Sequence, residues 1–185
     1  MKPRKIAVLV GSLRKESYNR KMAKALVEVA PKTMTFEFFD IGILPLYNQD
    51  LDNDPHEAWV EFRNRMRGLD GVLFVSPEYN RSVPGALKNA IDVASRPYGE
   101  NVFDKKPGAV VTVSVGAIGG FGANHHLRQS LVFLNVPTMP QPEAYIGDAA
   151  KLFDESGRLI HESTRDFIGK VMASFAEWVE KNAEK

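Results

Sequence analysis

The chain of 185 residues contains no cysteine. Disulfides, zinc–thiolate centres, iron–sulfur clusters and thiol nucleophiles are therefore excluded. Neither charge is in excess: 24 Lys and Arg stand against 23 Asp and Glu, for a net charge of +1. A nucleic-acid partner is not expected, because such proteins show a basic surplus or patch. No apolar run approaches the ~18 residues of a membrane span. The opening MKPRK is basic, but the apolar run behind it is too short for a secretory leader. A cytoplasmic location is the expectation that follows. There is no internal repeat, no low-complexity tract and no linker, so residues 1–185 are expected to form one domain.

Several motifs are missing as well. There is no Walker Gly-Lys-Ser/Thr, no G-x-G-x-x-G dinucleotide fingerprint and no G-x-S-x-G elbow. His125 and His126 are neighbours and would point about 100° apart on a helix. His56 and His161 lack an acidic or histidine partner at i+4, so no metal site is expected.

What is present is an alternation. Ile6–Val10, Gly71–Ser76 and Ala109–Val115 are near-continuous apolar runs, the pattern of strands buried on both faces. Thr35–Asp40 is a further strand, rich in aromatic residues, and Val136–Pro140 is the candidate for a fifth. Helical spacing appears over residues 19–30, 56–69, 84–94, 124–134 and from Ser163 onward, with Ser163 and Asp166 as a capping box. Residues 41–55 read as a long loop, and residues 141–160 read as loop with a turn or two. Strands alternating with helices predict an α/β fold: a flavodoxin-like, doubly wound, five-stranded parallel sheet with helices on both faces. In that fold, ligands bind beyond the carboxyl ends of the first and third strands.

Three unusual loops follow strands one, three and four. The first, Gly11 to Asn19, presents Ser12, Arg14, Ser17 and Asn19 at the mouth of a helix. The first N–H groups of a helix lack partners and its dipole favours an anion. With the Walker and dinucleotide patterns absent, that grip suits a single terminal phosphate on a flexible arm, and FMN is the candidate. The second loop, Pro77-Glu78-Tyr79-Asn80, offers backbone groups and an aromatic ring beside a planar ligand. The third has four glycines between Gly116 and Gly122, which let the chain pass close to a flat ring. Taken singly, each feature is a turn or a helix cap. Their convergence on one crevice is the signal.

The segments G-S-L-R-K-x-S-Y-N (Gly11–Asn19), P-E-Y-N (Pro77–Asn80), S-V-P-G-A-L-K-N-A-I-D (Ser82–Asp92) and S-V-G-A-I-G-G (Ser114–Gly120) resemble the NAD(P)H-dependent FMN reductases, in their bacterial quinone reductase and chromate reductase branch. The likeness continues through Leu127–Leu134. It implies a cytoplasmic flavoprotein oxidoreductase with tightly bound FMN and NADPH or NADH as donor. It implies ping-pong turnover, in which a hydride is passed to the flavin and then as two electrons to quinones, with adventitious reduction of chromate or other oxyanions. It implies a homodimer or homotetramer. The resemblance assigns the phosphate to the Arg14–Arg20 segment, notably Arg14, Ser17 and Asn19, with Tyr18 and Arg20 beside them; Ser12 joins this set from the reading of the first loop. It assigns the ring and ribityl chain to Pro77, Glu78, Tyr79 and Asn80, with Ser114 and Gly116 close by. No side chain is expected to act as acid or base, since the flavin carries the chemistry. This chain departs from relatives at Val93, at Phe121-Gly122 and at His125, near the expected subunit contact. Arg128 and Glu143 are expected there as partners, and Arg81 and Arg96 as cations for an anionic donor or acceptor, although solvated surface charge is the preferred reading of Arg96. The competing function is a flavin-binding electron carrier without nicotinamide oxidase activity. Such carriers are typically strongly acidic, which the net charge opposes.

Overall fold

The computed structural model describes residues 3–183. Five parallel strands lie in the order β2-β1-β3-β4-β5: β1 (Arg4–Val10), β2 (Met34–Phe39), β3 (Gly71–Ser76), β4 (Gly108–Val113) and β5 (Ala144–Ile146). Five helices connect and follow them: α1 (Tyr18–Val29), α2 (Glu57–Arg67), α3 (Gly85–Ala94), α4 (Phe121–Phe133) and α5 (Glu162–Asn182). This is the flavodoxin-like order, with its reversal between β1 and β3.

The strand period of two decides which residue faces which layer. Ile6, Val8 and Val10 pack with Met22 and Leu26 of α1 and Phe175 of α5. Ala7 and Leu9 point the other way, into a core with Trp59, Phe74, Leu87 and Leu127. The registers Val10↔Val75 and Ser76↔Thr112 bring β1, β3 and β4 to an end at one level, where the three loops emerge.

Three sequence expectations are corrected. Residues 136–140 are not the fifth strand. Thr138 makes only an isolated bridge to Gly108, and Gly108 N–H donates to the Pro137 carbonyl at 3.1 Å. Pro137 and Pro140 lack the donors that a ladder needs. The fifth strand lies within 141–160 and pairs Ala144–Ile146 with Val111–Val113, at the carboxyl end of β4. Helix α4 starts at Phe121, earlier than Asn124, so the glycine loop runs directly into it. Ser163 does not cap α5: the cap position is His161, and the Ser163 hydroxyl bonds to His161 Nδ1 at 3.2 Å.

The long segment 41–55 holds two 3-10 turns, Ile41–Ile43 and Gln49–Leu51, capped by the side chains of Asp40 and Asn48. Trp59 Nε1 donates to the Pro45 carbonyl at 2.9 Å, and Asn89 Oδ1 accepts from Tyr47 N–H at 2.9 Å. Satisfied backbone groups of this kind allow an irregular segment to pack against α3. Below it, Arg63 is buried and gives Nε–H to the Val93 carbonyl at 2.8 Å. Burial pulls its guanidinium below the ordinary arginine range.

Candidate functional site

The carboxyl end of the sheet carries a cleft of about 500 Å³. Its walls include Ser12, Arg14, Ser17, Tyr18 and Asn19 from the first loop, Pro77, Glu78 and Tyr79 from the second, and Ser114 at the start of the third. Nine of the twelve residues singled out in the sequence therefore meet at one place, joined by Val113 and Val115. Arg20, Asn80 and Gly116 lie outside this wall. Arg20 contributes its backbone N–H, which donates to Ser17 Oγ at 3.3 Å. Gly116 N–H donates to Ser114 Oγ at 3.1 Å. Val113 and Val115 carried no local signal apart from their place at a strand end.

The floor depends on a missing side chain. A Cβ on Gly11 would stand 2.9 Å from Ser76 Oγ and 3.1 Å from Leu87 Cδ2. Only glycine lets β1 turn toward α1 this close to β3 and α3. Ser17 then caps α1, and because its oxygen accepts from Arg20 N–H its own proton is free to donate outward. Asn19 is 5% exposed, and its Nδ2 reaches across to the Val113 carbonyl at 3.3 Å. Its Oδ1 is buried without a hydrogen-bond partner. Ser12 is also buried as a residue and lines the cleft. Arg14 is exposed, with no ion pair among the described residues. Buried polar groups without partners are uncommon in folded proteins and costly to maintain.

The second loop is a tight hairpin. Tyr79 N–H donates to the Ser82 carbonyl and Ser82 N–H to the Tyr79 carbonyl, both at 3.0 Å. Of the backbone groups that Pro77–Asn80 were expected to offer a ligand, those of Tyr79 are thus occupied, while its ring is half exposed at the cleft. Glu78 has an unforeseen role. Its Oε2 accepts the Ala123 N–H at 3.0 Å, in the first turn of α4, where the cap residue Gly120 supplies no side-chain bond. One loop therefore caps the helix that follows the other, and the dipole of α4 favours that carboxylate. A Cβ on Gly122 would stand 2.7 Å from the Arg81 carbonyl, so glycine is required for the two loops to touch.

Beside this joint sit Phe121, His125 and Tyr145. Phe121 and His125 have ring centroids 4.2 Å apart, and Tyr145 Oη lies 3.2 Å from His125 Nε2. Burial, with Glu143 adding to it, raises the Tyr145 phenol above its ordinary range. Arg128, expected at a subunit contact, is partly engaged within the chain: Nε donates to Asn124 Oδ1 at 2.8 Å and Nη1 to the Met139 carbonyl at 3.0 Å. Asn124 in turn donates to Thr112 Oγ1, and the chain of bonds ends at the Ala144 carbonyl of β5. Arg96 follows the end of α3 that is remote from the crevice.

The donor set fits FMN. Two serine hydroxyls, one guanidinium and a helix N-terminus match a monophosphate dianion. The unpartnered Asn19 Oδ1 lies alongside, and Pro77, Tyr79 and Val115 provide apolar flanks for a planar ring. Fold and cleft together define a flavodoxin-like flavin site.

Comparison with known proteins agrees. The model of the NADPH-dependent FMN reductase family matches residues 4–151. A quinone reductase of Pseudomonas putida is 61% identical over 178 residues, covering 96% of this chain and 95% of that one. A 2-hydroxy-1,4-benzoquinone reductase of a Burkholderia species is 48% identical, covering 95% of this chain and 96% of that one. The structure of FerB, an NAD(P)H:acceptor oxidoreductase flavoenzyme from Paracoccus denitrificans, superposes with a TM-score of 0.92 at 41% identity, covering 98% of this chain and 100% of that one. The chain belongs to the NADPH-dependent FMN reductase family. Among the described residues, no helix is long and apolar enough to cross a membrane.

Proposed function

We propose that this chain is an FMN-dependent NAD(P)H:acceptor oxidoreductase that reduces quinones by two electrons, with residues 1–185 forming one FMN-binding domain in the cytoplasm, where reduced nicotinamides are held. The observation that carries this reading is the cleft at the strand-order reversal, where the buried, unpartnered Asn19 Oδ1 and the side chains of Ser12, Arg14 and Ser17 share a wall with apolar residues. When bound, FMN supplies the redox chemistry, taking a hydride from the nicotinamide and passing two electrons on. The chain's own residues bind and orient. Ser12, Arg14, Ser17 and the first turn of α1 hold the phosphate. Asn19 braces α1 against β4 through the Val113 carbonyl. Pro77, Tyr79 and Ser114 flank the ring end, and Glu78 fixes the second loop to α4. The relatives named as quinone reductases support the choice of acceptor.

The exposed apolar side chains Val132 and Phe133 on α4 support assembly into a homodimer or homotetramer. Chromate and other oxyanions belong to the same reading as adventitious acceptors, since a reduced flavin in an open cleft is accessible to small oxidants.

The test is direct. Purified protein should carry FMN and be yellow, NADPH or NADH should bleach it anaerobically in one phase, and benzoquinone should restore the colour. Colourless protein that takes up no FMN would sink the reading. FMN-loaded protein that neither nicotinamide bleaches would instead mark an electron carrier.

A further inference from the structure

We propose that the Glu78 carboxylate, fixed in the cleft wall, lowers the reduction potential of the bound flavin and so makes its reduced ring a stronger donor. This deepens the functional reading above and rests on it. Among the described residues that wall the cleft, Glu78 is the only carboxylate and Arg14 the only guanidinium. They belong to opposite sides of the sheet. The loop that carries Arg14 leads into α1, which packs with α5 on one face. Glu78 reaches α4, which packs with α3 on the other. Arg14 serves the phosphate end, so Glu78 is the charge that stands beside Pro77 and Tyr79 at the ring end.

The carboxylate is enclosed between two loops. Its side chain is 14% exposed. Oε2 accepts the Ala123 N–H at 3.0 Å, and the third loop is shaped around it. A Cβ on Gly122 would stand 3.0 Å from Oε2, and one on Gly120 would stand 3.7 Å from Glu78 Cβ. A helix start is ordinarily capped by the side chain of its own cap residue. Here that residue is Gly120, left-handed at φ 79°, and the acceptor comes instead from the cleft wall. A neutral amide oxygen at position 78 could accept the same N–H. What glutamate adds is charge. Arg81 Nη1 offsets part of it from 3.6 Å, on the other oxygen, and the α4 dipole offsets a further part.

The redox chemistry makes the remaining charge count. A flavin ring is neutral when oxidised. A hydride brings it one proton and two electrons, so the reduced ring is an anion unless a further proton is bound. A negative charge in the wall raises the free energy of that anion and leaves the neutral ring nearly untouched. The potential falls, and passing the two electrons on to an acceptor becomes more favourable.

The midpoint potential of FMN-loaded protein, measured against a reference dye during anaerobic reduction in mildly alkaline buffer, tests this. Glu78→Gln keeps an acceptor for Ala123 N–H and removes the charge. At a fixed potential it should shift the ratio of reduced to oxidised FMN about tenfold toward reduced, the scale of one partly offset charge. For a two-electron couple that is a rise of about 30 mV. Glu78→Ala loses the cap as well as the charge and should rise by a similar amount. A role confined to holding the loops predicts a shift in Glu78→Ala and none in Glu78→Gln. Glu61→Gln removes the same charge from the exposed side of α2 and should leave the potential at its wild-type value. If a Glu78 variant holds FMN too weakly for a potential, titrating its apoprotein with oxidised and with reduced FMN yields the same ratio by linkage. Reduced FMN should then gain about tenfold in affinity relative to oxidised FMN. An unchanged potential in Glu78→Gln, with an unchanged affinity ratio, overturns the proposal, as does an equal shift in Glu61→Gln. Those results on FMN-loaded protein leave the functional reading standing, whereas wild-type protein that takes up no FMN overturns that reading and this proposal with it.

Discussion

The two ends of the sheet carry openings of nearly the same size, about 500 Å³ at the carboxyl end and about 550 Å³ at the amino end, yet their polar groups are arranged oppositely. At the amino end most of the charges satisfy one another. Asp70 accepts the Lys5 N–H at 2.7 Å and pairs with Arg4 at 3.3 Å. Asp104 accepts from Asn135 at 2.7 Å, Arg67 pairs with Glu100 at 3.2 Å, and Lys106 donates to the Leu69 carbonyl. At the carboxyl end, Asn19 Oδ1 is buried and unmatched, and Arg14 has no ion pair among the described residues. Size does not mark a site here. Nor does an unpartnered buried atom alone, since Arg63 Nη2 is one too; a desolvated polar atom in the wall of an opening, as Asn19 Oδ1 is, does, because a ligand can remove its cost there.

That contrast can be broken most forcefully at glycines. Gly11→Val should destabilise the protein by about 3 kcal/mol and abolish FMN retention, since the new side chain must displace Ser76, Leu87 or Pro77. Gly68→Ala at the amino end meets only the Arg65 carbonyl at 3.6 Å, so it should stay within ~0.5 kcal/mol of wild type. Chemical denaturation with FMN quantified in the purified protein checks both.

The next pair separates binding from folding. Arg14→Ala should weaken FMN binding by about 2 kcal/mol, or roughly thirtyfold, while leaving apoprotein stability unchanged. Asp70→Ala should do the reverse, costing stability about 1–2 kcal/mol through the unpaired Lys5 N–H and the lost bond to Arg4 while FMN affinity holds. Fluorescence titration of apoprotein with FMN, set against denaturant midpoints, distinguishes these outcomes.

A smaller effect is expected at the joint between loops. Glu78→Ala removes the cap on α4 and should cost about 1 kcal/mol, visible as a fall of roughly 3 °C in the thermal midpoint. Glu78→Gln keeps an acceptor for Ala123 N–H and should recover most of it.

The smallest is a pH effect behind the cleft. Asp154 accepts from Ser156 at 2.6 Å and from the Arg158 N–H at 3.0 Å. These bonds, led by that from Ser156, hold its carboxyl down at about 2, below the ordinary 3.8. A depressed folded value means the contribution is complete above the ordinary value and fades as pH falls toward 2. The turn sits next to Phe153, which stacks on Tyr18 at 6.2 Å. Asp154→Asn should therefore lower stability slightly at neutral pH, with the difference from wild type closing as pH falls from 4 to 2, as acid titration followed by circular dichroism would show.

Much of this architecture is legible in the chain because its signals are local. The runs Ile6–Val10 and Gly71–Ser76 are buried along their whole length, and a continuous apolar run can satisfy that only in the middle of a covered sheet. Pro84 and Ser17 mark helix starts through chemistry confined to one turn. The alternation of strands and helices then predicts the crevice, because right-handed crossovers leave few ways to assemble parallel strands. The loops that would line it follow from that.

What the tertiary structure alone decided are the long-range polar links. The fifth strand is three residues long, too short for a periodic pattern, and it takes its place at the end of β4 with the help of the buried bonds through Asn124 and Thr112. Asn19 reaches Val113 across 94 positions, and Glu78 reaches Ala123 across 45. A hydrogen bond between residues so far apart leaves no spacing for periodicity to detect. The sequence by itself determined which end of the sheet would carry the site and which residue types would stand there. Only the fold decided which of their polar atoms were consumed in holding the loops together and which were left facing the cleft, because that depends on partners brought together by the packing of the whole chain.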